Sequence, residues 1–465
     1  MNFTSSVVIG IEAHIELDTE SKMFCSCPTT AAEPNSACCE VCLGMPGSKP
    51  VLNKKAVDFA VKLCLALDCK TSPELIFSRK SYFYPDMAKN YQISQYEIPL
   101  GKNGKLKVGN KFIGITRVHL EEDPAALVHP DTMEKSKYVL VDYNRSGRPL
   151  VEVVTAPDMT SPEEARDFMK KLITVLNYID IFDQNRCIIK ADVNISIKET
   201  NYTKVEIKNI TGFKEIERAI FYEVERQRNN IKEVRQETRA WDSQRGVTRA
   251  LRTKETEEDY GYIIDPDLVP IEISKEWIER TKKEMPELAE SKIEKFILKH
   301  KISKIDAEVL GQKKLLAELF EKVAAEIDPG LAAKWIRREL IRVLNYNKKP
   351  LQDMEIDEKH LIDLLRLIES KTITDTTGQK ILEKLIKKPF DVNEYIKKEK
   401  LEAVSDSDLI KKYCKEAIKE NKKAVEDYKK GEEKALHFLI GKVMQKTRGK
   451  ATPKEVNEIL KKMIN

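Results

Sequence analysis

Near the start of the chain, apolar and polar side chains alternate. Val7, Ile9, Ile11, Ala13, Ile15 and Leu17 share one face of an extended segment, and Glu12, His14 and Glu16 share the other. This period of two predicts a half-buried strand over Ser6–Leu17. Cys187–Ile197 repeats the device, with Ile189, Ala191, Val193 and Ile195 inward and Lys190, Asp192, Asn194 and Ser196 outward. Lys204–Ile210 sets Lys204, Glu206 and Lys208 against Val205 and Ile207. Phe112–Glu121 places Arg117, His119 and Glu121 on one face, with Glu122 at the strand end. Tyr138–Asn144 and Pro149–Thr155 read as further strands. Helices are predicted over Asn53–Leu67, Ser161–Ile179 and Glu215–Asn229, the second announced by Ser161-Pro162-Glu163-Glu164. From about Lys275 the apolar period becomes helical, broken at Pro329-Gly330, Lys349-Pro350 and Lys388-Pro389, with Asp391–Ala403 as a connection. The expected class is α+β. An antiparallel-sheet domain over 1–274 precedes an all-helical domain over 275–404 and a small helical tail over 405–465.

Length and composition agree with this division. A chain of 465 residues exceeds one ordinary core, and 41% hydrophobic residues exclude a disordered polymer. Apolar stretches such as Val7–Ile11 are too short to cross a bilayer, and no secretory leader is expected. Nine cysteines, five of them between Cys25 and Cys42, point to a reducing cytoplasm and a local metal site, not to a disulfide framework. The net charge is +5, yet Ser405–Asn465 alone carries 16 Lys or Arg against 10 Asp or Glu. The tail is therefore basic on a nearly neutral body. That fits a module meeting a polyanion, and equally a solvated lysine-rich helical surface.

The polar face of the strands carries the chemistry. A sheet with one wet face needs no function to show such alternation. Here, however, carboxylates, His and Asn recur on several strands, and gathered carboxylates repel unless a cation offsets them. Oxygen ligands with a His suit Mg²⁺ or Mn²⁺. The chain has neither a Gly-x-x-x-x-Gly-Lys-Ser/Thr loop nor a Gly-x-Gly-x-x-Gly turn, so nucleotide chemistry would need this sheet as its scaffold. Cys25-Ser-Cys27 and Cys39-Glu-Val-Cys42 form two thiol pairs with the spacing of a structural zinc site. Cys38 is a spare that could replace Cys39, and idle thiols are the alternative.

Longer strings extend this reading. Ile9-Gly-Ile-Glu-Ala-His-Ile-Glu-Leu17, Ser21-Lys-Met-Phe-Cys-Ser-Cys27, Cys39-Glu-Val-Cys-Leu-Gly-Met-Pro-Gly47, Arg79-Lys-Ser-Tyr-Phe-Tyr-Pro-Asp86, His119-Leu-Glu-Glu-Asp123, Ala191-Asp-Val-Asn-Ile195, Val205-Glu-Ile-Lys-Asn209 and Gln236-Glu-Thr-Arg239 occur in order. Together with Lys434-Ala-Leu-His-Phe-Leu-Ile-Gly441, they closely resemble the B-subunit family of glutamyl-tRNA(Gln)/aspartyl-tRNA(Asn) amidotransferases. The resemblance implies a glutamine-synthetase-like cradle, a helical domain and a tRNA-binding tail. It also implies ATP-dependent phosphorylation of the side-chain carboxylate of Glu-tRNA(Gln) or Asp-tRNA(Asn), followed by amidation with ammonia. Carried onto this chain, the ATP and Mg²⁺ site is Glu12, His14, Glu121, Glu122, Asp192, Asn194 and Glu206. Glu12, His14, Glu122, Asp192 and Glu206 are its expected catalytic residues. Lys208 and Arg239 are expected to meet phosphate or carboxylate. Arg79, Lys80, Tyr82 and Tyr84 are expected at the tRNA end, with an aromatic packing cluster as the equal alternative. Cys25, Cys27, Cys39 and Cys42 are the zinc set.

Some positions depart from the family pattern. Pro85-Asp-Met-Ala-Lys-Asn90 replaces a Leu-Pro-Lys-Gly run, Asp123-Pro-Ala replaces Asp-Ala-Gly, and Tyr260-Gly-Tyr-Ile-Ile264 replaces Arg-Tyr-Phe-Pro. No amidase-like Ser/Gly-rich stretch or cysteine glutaminase context is present. A separate glutaminase A subunit and a small C subunit are therefore expected as partners. Two rival readings are a passive tRNA scaffold and a free-standing ligase acting on a small amino acid.

Overall fold

The alternating segments pair as their patterns require. In the structure, a computed structural model describing residues 6–131, 136–253, 260–402, 407–447 and 451–464, strand β1 (Val7–Glu16) lies inside a nine-stranded sheet. The other strands are β2 (Lys70–Thr71), β3 (Gly101–Val108), β4 (Lys111–Glu122), β5 (Pro149–Thr155), β6 (Ile189–Ile197), β7 (Val205–Ile210), β8 (Glu237–Asp242) and β9 (Val247–Thr253). Their order is β9-β8-β7-β6-β1-β5-β4-β3-β2. All neighbours are antiparallel except β7 and β8, which run parallel. The sheet is thus mixed where an antiparallel one was expected. The exception has a physical cause. A parallel pair needs a long crossover, and helix α3 (Phe213–Asn229) lies between β7 and β8 in the chain.

Helices α1 (Lys54–Ala66) and α2 (Pro162–Tyr178) start where the sequence signals them. The Asn53 side chain accepts from the N–H groups of Lys55 and Ala56, and Ser161 accepts from Glu164 N–H with Pro162 in the first turn. Their apolar faces join the inward residues of the sheet in one core. Val7, Ile9, Ile11, Ala13 and Ile15 meet Val57, Ala60, Leu63, Phe168, Leu172 and Ile220 there. Burying that face leaves the even-numbered side chains of β1 on the opposite, polar side.

By compactness the chain divides after Leu288, so the helix Lys275–Glu284, capped by Ser274, belongs to the first unit. The second unit is helical from Ala289 onward. Asp391–Ala403, expected as a connection, contains a helix over Val392–Glu399 capped by Asp391, while Ala403 lies outside the described residues. The final helices have a core of their own around Ile410, Cys414, Leu436, Leu439, Val456 and Leu460. Among the described residues no helix is long and apolar enough to cross a membrane.

Candidate functional site

Strand register brings acids from distant segments together on the polar side. Glu12 stands opposite Asp192, His14 opposite Glu152, Glu152 opposite His119 and Asn194 opposite Glu206. Two clusters result, each with ligand atoms within 4.8 Å of one another. One is Glu12, Asp192 and Glu206; the other is His14, Glu121 and Glu152. Glu12 and His14 are two residues apart on one face of β1, about 7 Å along the strand, so the clusters adjoin.

In the first cluster the charges are offset by a lysine. Lys208 Nζ donates to Asp192 Oδ2 at 2.7 Å and lies 3.3 Å from Glu206 Oε1. Asn209 N–H donates to Asp192 Oδ1 at 2.7 Å from a left-handed backbone (φ 57°) beside the bulge between β6 and β7. Asn194 Nδ2 donates to Glu12 Oε1 at 2.9 Å, and Thr238 Oγ1 donates to Glu206 Oε2 at 3.0 Å. Burial pushes the Asp192 carboxyl up, but Lys208 and His14 outweigh it and leave it below its ordinary value. Burial pushes Lys208 down, yet Asp192 and Glu206 raise it well above the usual lysine range. A carboxylate trio with an ammonium is the charge pattern expected beside a divalent cation and an anionic substrate.

The second cluster is built around histidines. His14 Nε2 lies 3.6 Å from Glu121 and 3.7 Å from Glu152, and His119 Nε2 lies 2.8 Å from Glu152. Burial alone would lower His14; the carboxylates of Glu152, Asp192 and Glu121 together raise it. Burial raises Glu152, and His119 and His14 overcome it to hold that acid well below the carboxylate range. His119 is buried, and its Nδ1 has no hydrogen-bond partner among the described residues. Glu152 and His119 complete this cluster and were not among the expected site residues. Their signal is a lone acid between Val151 and Val153, and a His sharing a face with Glu121.

Two expected residues lie apart from both clusters. The Glu122 carboxylate pairs with Lys89 and accepts Ile93 N–H at 3.0 Å. Arg239 donates to Glu237 at 2.7 Å and to Thr248, and lies 3.7 Å from Glu223 of α3, on the helix-covered side of the sheet.

The expected tRNA-end residues gather on a small sheet formed by Ser78–Ser81, Tyr91–Ser94 and Ile263–Ile264. Arg79 is neutralised by Asp265 at 2.8 Å and Asp267 at 2.9 Å, with its guanidinium over Tyr91. Lys80 Nζ lies 4.5 Å from the Tyr260 ring centre, and Tyr82 and Tyr84 stack at 5.0 Å.

Cys25, Cys27, Cys39 and Cys42 form a third group, also with sulfurs within 4.8 Å of one another. The Cys39–Cys42 sulfur separation of 3.9 Å matches the ~3.8 Å edge of a zinc tetrathiolate tetrahedron. Hydrogen bonding from Cys25, together with Lys22 nearby, pulls the Cys42 thiol down to about 4 despite burial. Cys38 lies outside the group, 3.8 Å from Asn144 Oδ1.

Comparison with known proteins joins this geometry to a family. Residues 7–279 match the GatB/GatE catalytic domain, and residues 318–464 match the GatB domain. The chain is 44% identical to the aspartyl/glutamyl-tRNA(Asn/Gln) amidotransferase B subunit of Thermodesulfovibrio yellowstonii, 44% to that of Methanospirillum hungatei and 41% to that of Carboxydothermus hydrogenoformans. In each case 98% of both chains is covered.

Proposed function

The chain belongs to the GatB/GatE family of aspartyl/glutamyl-tRNA(Asn/Gln) amidotransferase B subunits, and from that premise we propose that it activates the side-chain carboxylate of Glu-tRNA(Gln) or Asp-tRNA(Asn) with ATP. A carboxylate is a poor electrophile. Transfer of the γ-phosphoryl group to it gives an acyl phosphate, and attack by ammonia then forms the amide and expels phosphate. The observation that carries the reading is the polar sheet face, where acids from five strands gather in two adjoining clusters, the first of them beside Lys208.

Glu12, Asp192 and Glu206 fit a divalent ion, Mg²⁺ or Mn²⁺, which would offset the charge of the triphosphate and the acid substrate. Lys208, kept protonated by Asp192 and Glu206, supplies positive charge for phosphate. His14 and His119 hold Glu152 ionised and order the second cluster. The four cysteines suit a structural Zn²⁺, since four thiolates leave no position open for substrate.

On the same reading the sheet domain is the glutamine-synthetase-like cradle and the tail from Ser405 contacts tRNA. Lys80, Tyr82 and Tyr84 support the acceptor end. A glutaminase A subunit and a small C subunit complete a cytoplasmic heterotrimer. The test supplies the assembled complex with labelled ATP, glutamine and each misacylated tRNA in turn, and identifies the product amino acid. ATP turnover without dependence on misacylated tRNA would refute it.

A further inference from the structure

Lys22 is fully buried, yet among the described residues its contacts contain no carboxylate. Its ammonium donates to Ala37 O at 2.8 Å, Tyr143 O at 3.1 Å and Cys42 Sγ at 3.5 Å. Taking an ammonium out of water is costly unless an opposite charge stands nearby. Carbonyl dipoles satisfy two of its donors and bear no net charge. Of its contacts among the described residues, only the cysteine sulfur can be an anion.

We infer that Lys22 is the counter-ion of the four-cysteine centre, a positioning residue that offsets its negative charge and fixes Cys42 as a ligand. Zinc held by four thiolates carries two net negative charges, which a partly buried knuckle must balance. Lys22, itself fully buried, meets the cluster at Cys42. Its bond to Tyr143 O also ties the knuckle to the turn leading into β5. There Ser146 Oγ donates to Cys42 O at 3.0 Å and Met23 N–H donates to Gly147 O at 2.7 Å. A hydrogen bond onto a ligating sulfur withdraws charge from it, which favours an inert structural centre over a reactive thiolate.

This rests on the zinc reading, and one experiment separates the two. Metal content is measured on the purified full-length chain. Zinc release to a chromogenic chelator is then followed for the wild type, Lys22→Arg and Lys22→Met. The expected result is one zinc per wild-type chain, about tenfold or greater acceleration of release in Lys22→Met, and near wild-type release in Lys22→Arg. Absence of zinc from the wild type overturns the zinc reading itself. Zinc in the wild type with equal release from Lys22→Met overturns the role of Lys22 alone. Should Lys22→Met fail to fold, the wild type decides through NMR of its ¹⁵N-labelled lysines. The Lys22 ammonium is expected to exchange protons slowly with zinc bound and to change when chelator removes the metal; an unchanged signal overturns the inference.

Discussion

Glu12 and Asp192 face each other directly across β1 and β6, two carboxylates on the same side of one sheet. Like charges set opposite in a sheet are destabilising, and Glu206 adds a third. Lys208 offsets part of that repulsion through Asp192 and Glu206. The sheet therefore holds a local electrostatic conflict that a bound cation would relieve. Natural folds keep such conflicts where function needs them.

Removing the offset should expose the conflict. Lys208→Met leaves Asp192 and Glu206, both buried, without their ammonium, and is expected to cost about 3 kcal/mol. Millimolar Mg²⁺ is expected to recover much of that loss by replacing the charge. Thermal melts with and without Mg²⁺ check this; a variant melt indifferent to Mg²⁺ contradicts it.

Protonation of His14 offers a pH signature in metal-free buffer. Its folded value is raised above 6.5, so the neighbouring acids contribute stability that is fully present below that pH. The contribution is lost as pH rises through the raised folded value. The melting-temperature gap between wild type and His14→Gln should thus be widest near pH 5.5 to 6 and narrow as the pH rises above that, at roughly 0.5–1 °C per half kcal/mol for a chain of this size. A gap that widens with pH would refute the assignment.

The cysteine assignment makes a choice between neighbours. Cys39→Ser is expected to abolish stoichiometric zinc and lower the melting temperature, whereas Cys38→Ser, which lies against Asn144, should retain the metal. Metal analysis of the two variants distinguishes them. Loss of zinc only from Cys38→Ser would reverse the assignment.

The period-two pattern made much of this site legible. It aligns Glu12, His14, Asp192 and Glu206 on one face once the apolar partners Ile11, Val193 and Ile207 are buried. The same parity rule separates Glu121, in the histidine cluster, from its neighbour Glu122, which turns to Lys89 and Ile93. Arg239 follows Ile207 in the parallel register and so points with it toward α3, a pairing that local sequence does not encode. Glu152 is not legible in the sequence, because one acid in Pro149–Thr155 looks like ordinary strand alternation until β1 and β4 bracket it with His14 and His119. Local period sets the face of a side chain; only long-range register decides its neighbours.

Whether the carboxylate face serves phosphoryl transfer or folding is decided by ATP-dependent amidation in the complex carrying Glu12→Gln or Asp192→Asn, each compared with its melting temperature. A fall in turnover of about 10²-fold or more is predicted, with charged-tRNA binding retained and, for Glu12→Gln, no loss of stability. Wild-type turnover in both variants would overturn the reading and leave this face without a catalytic role.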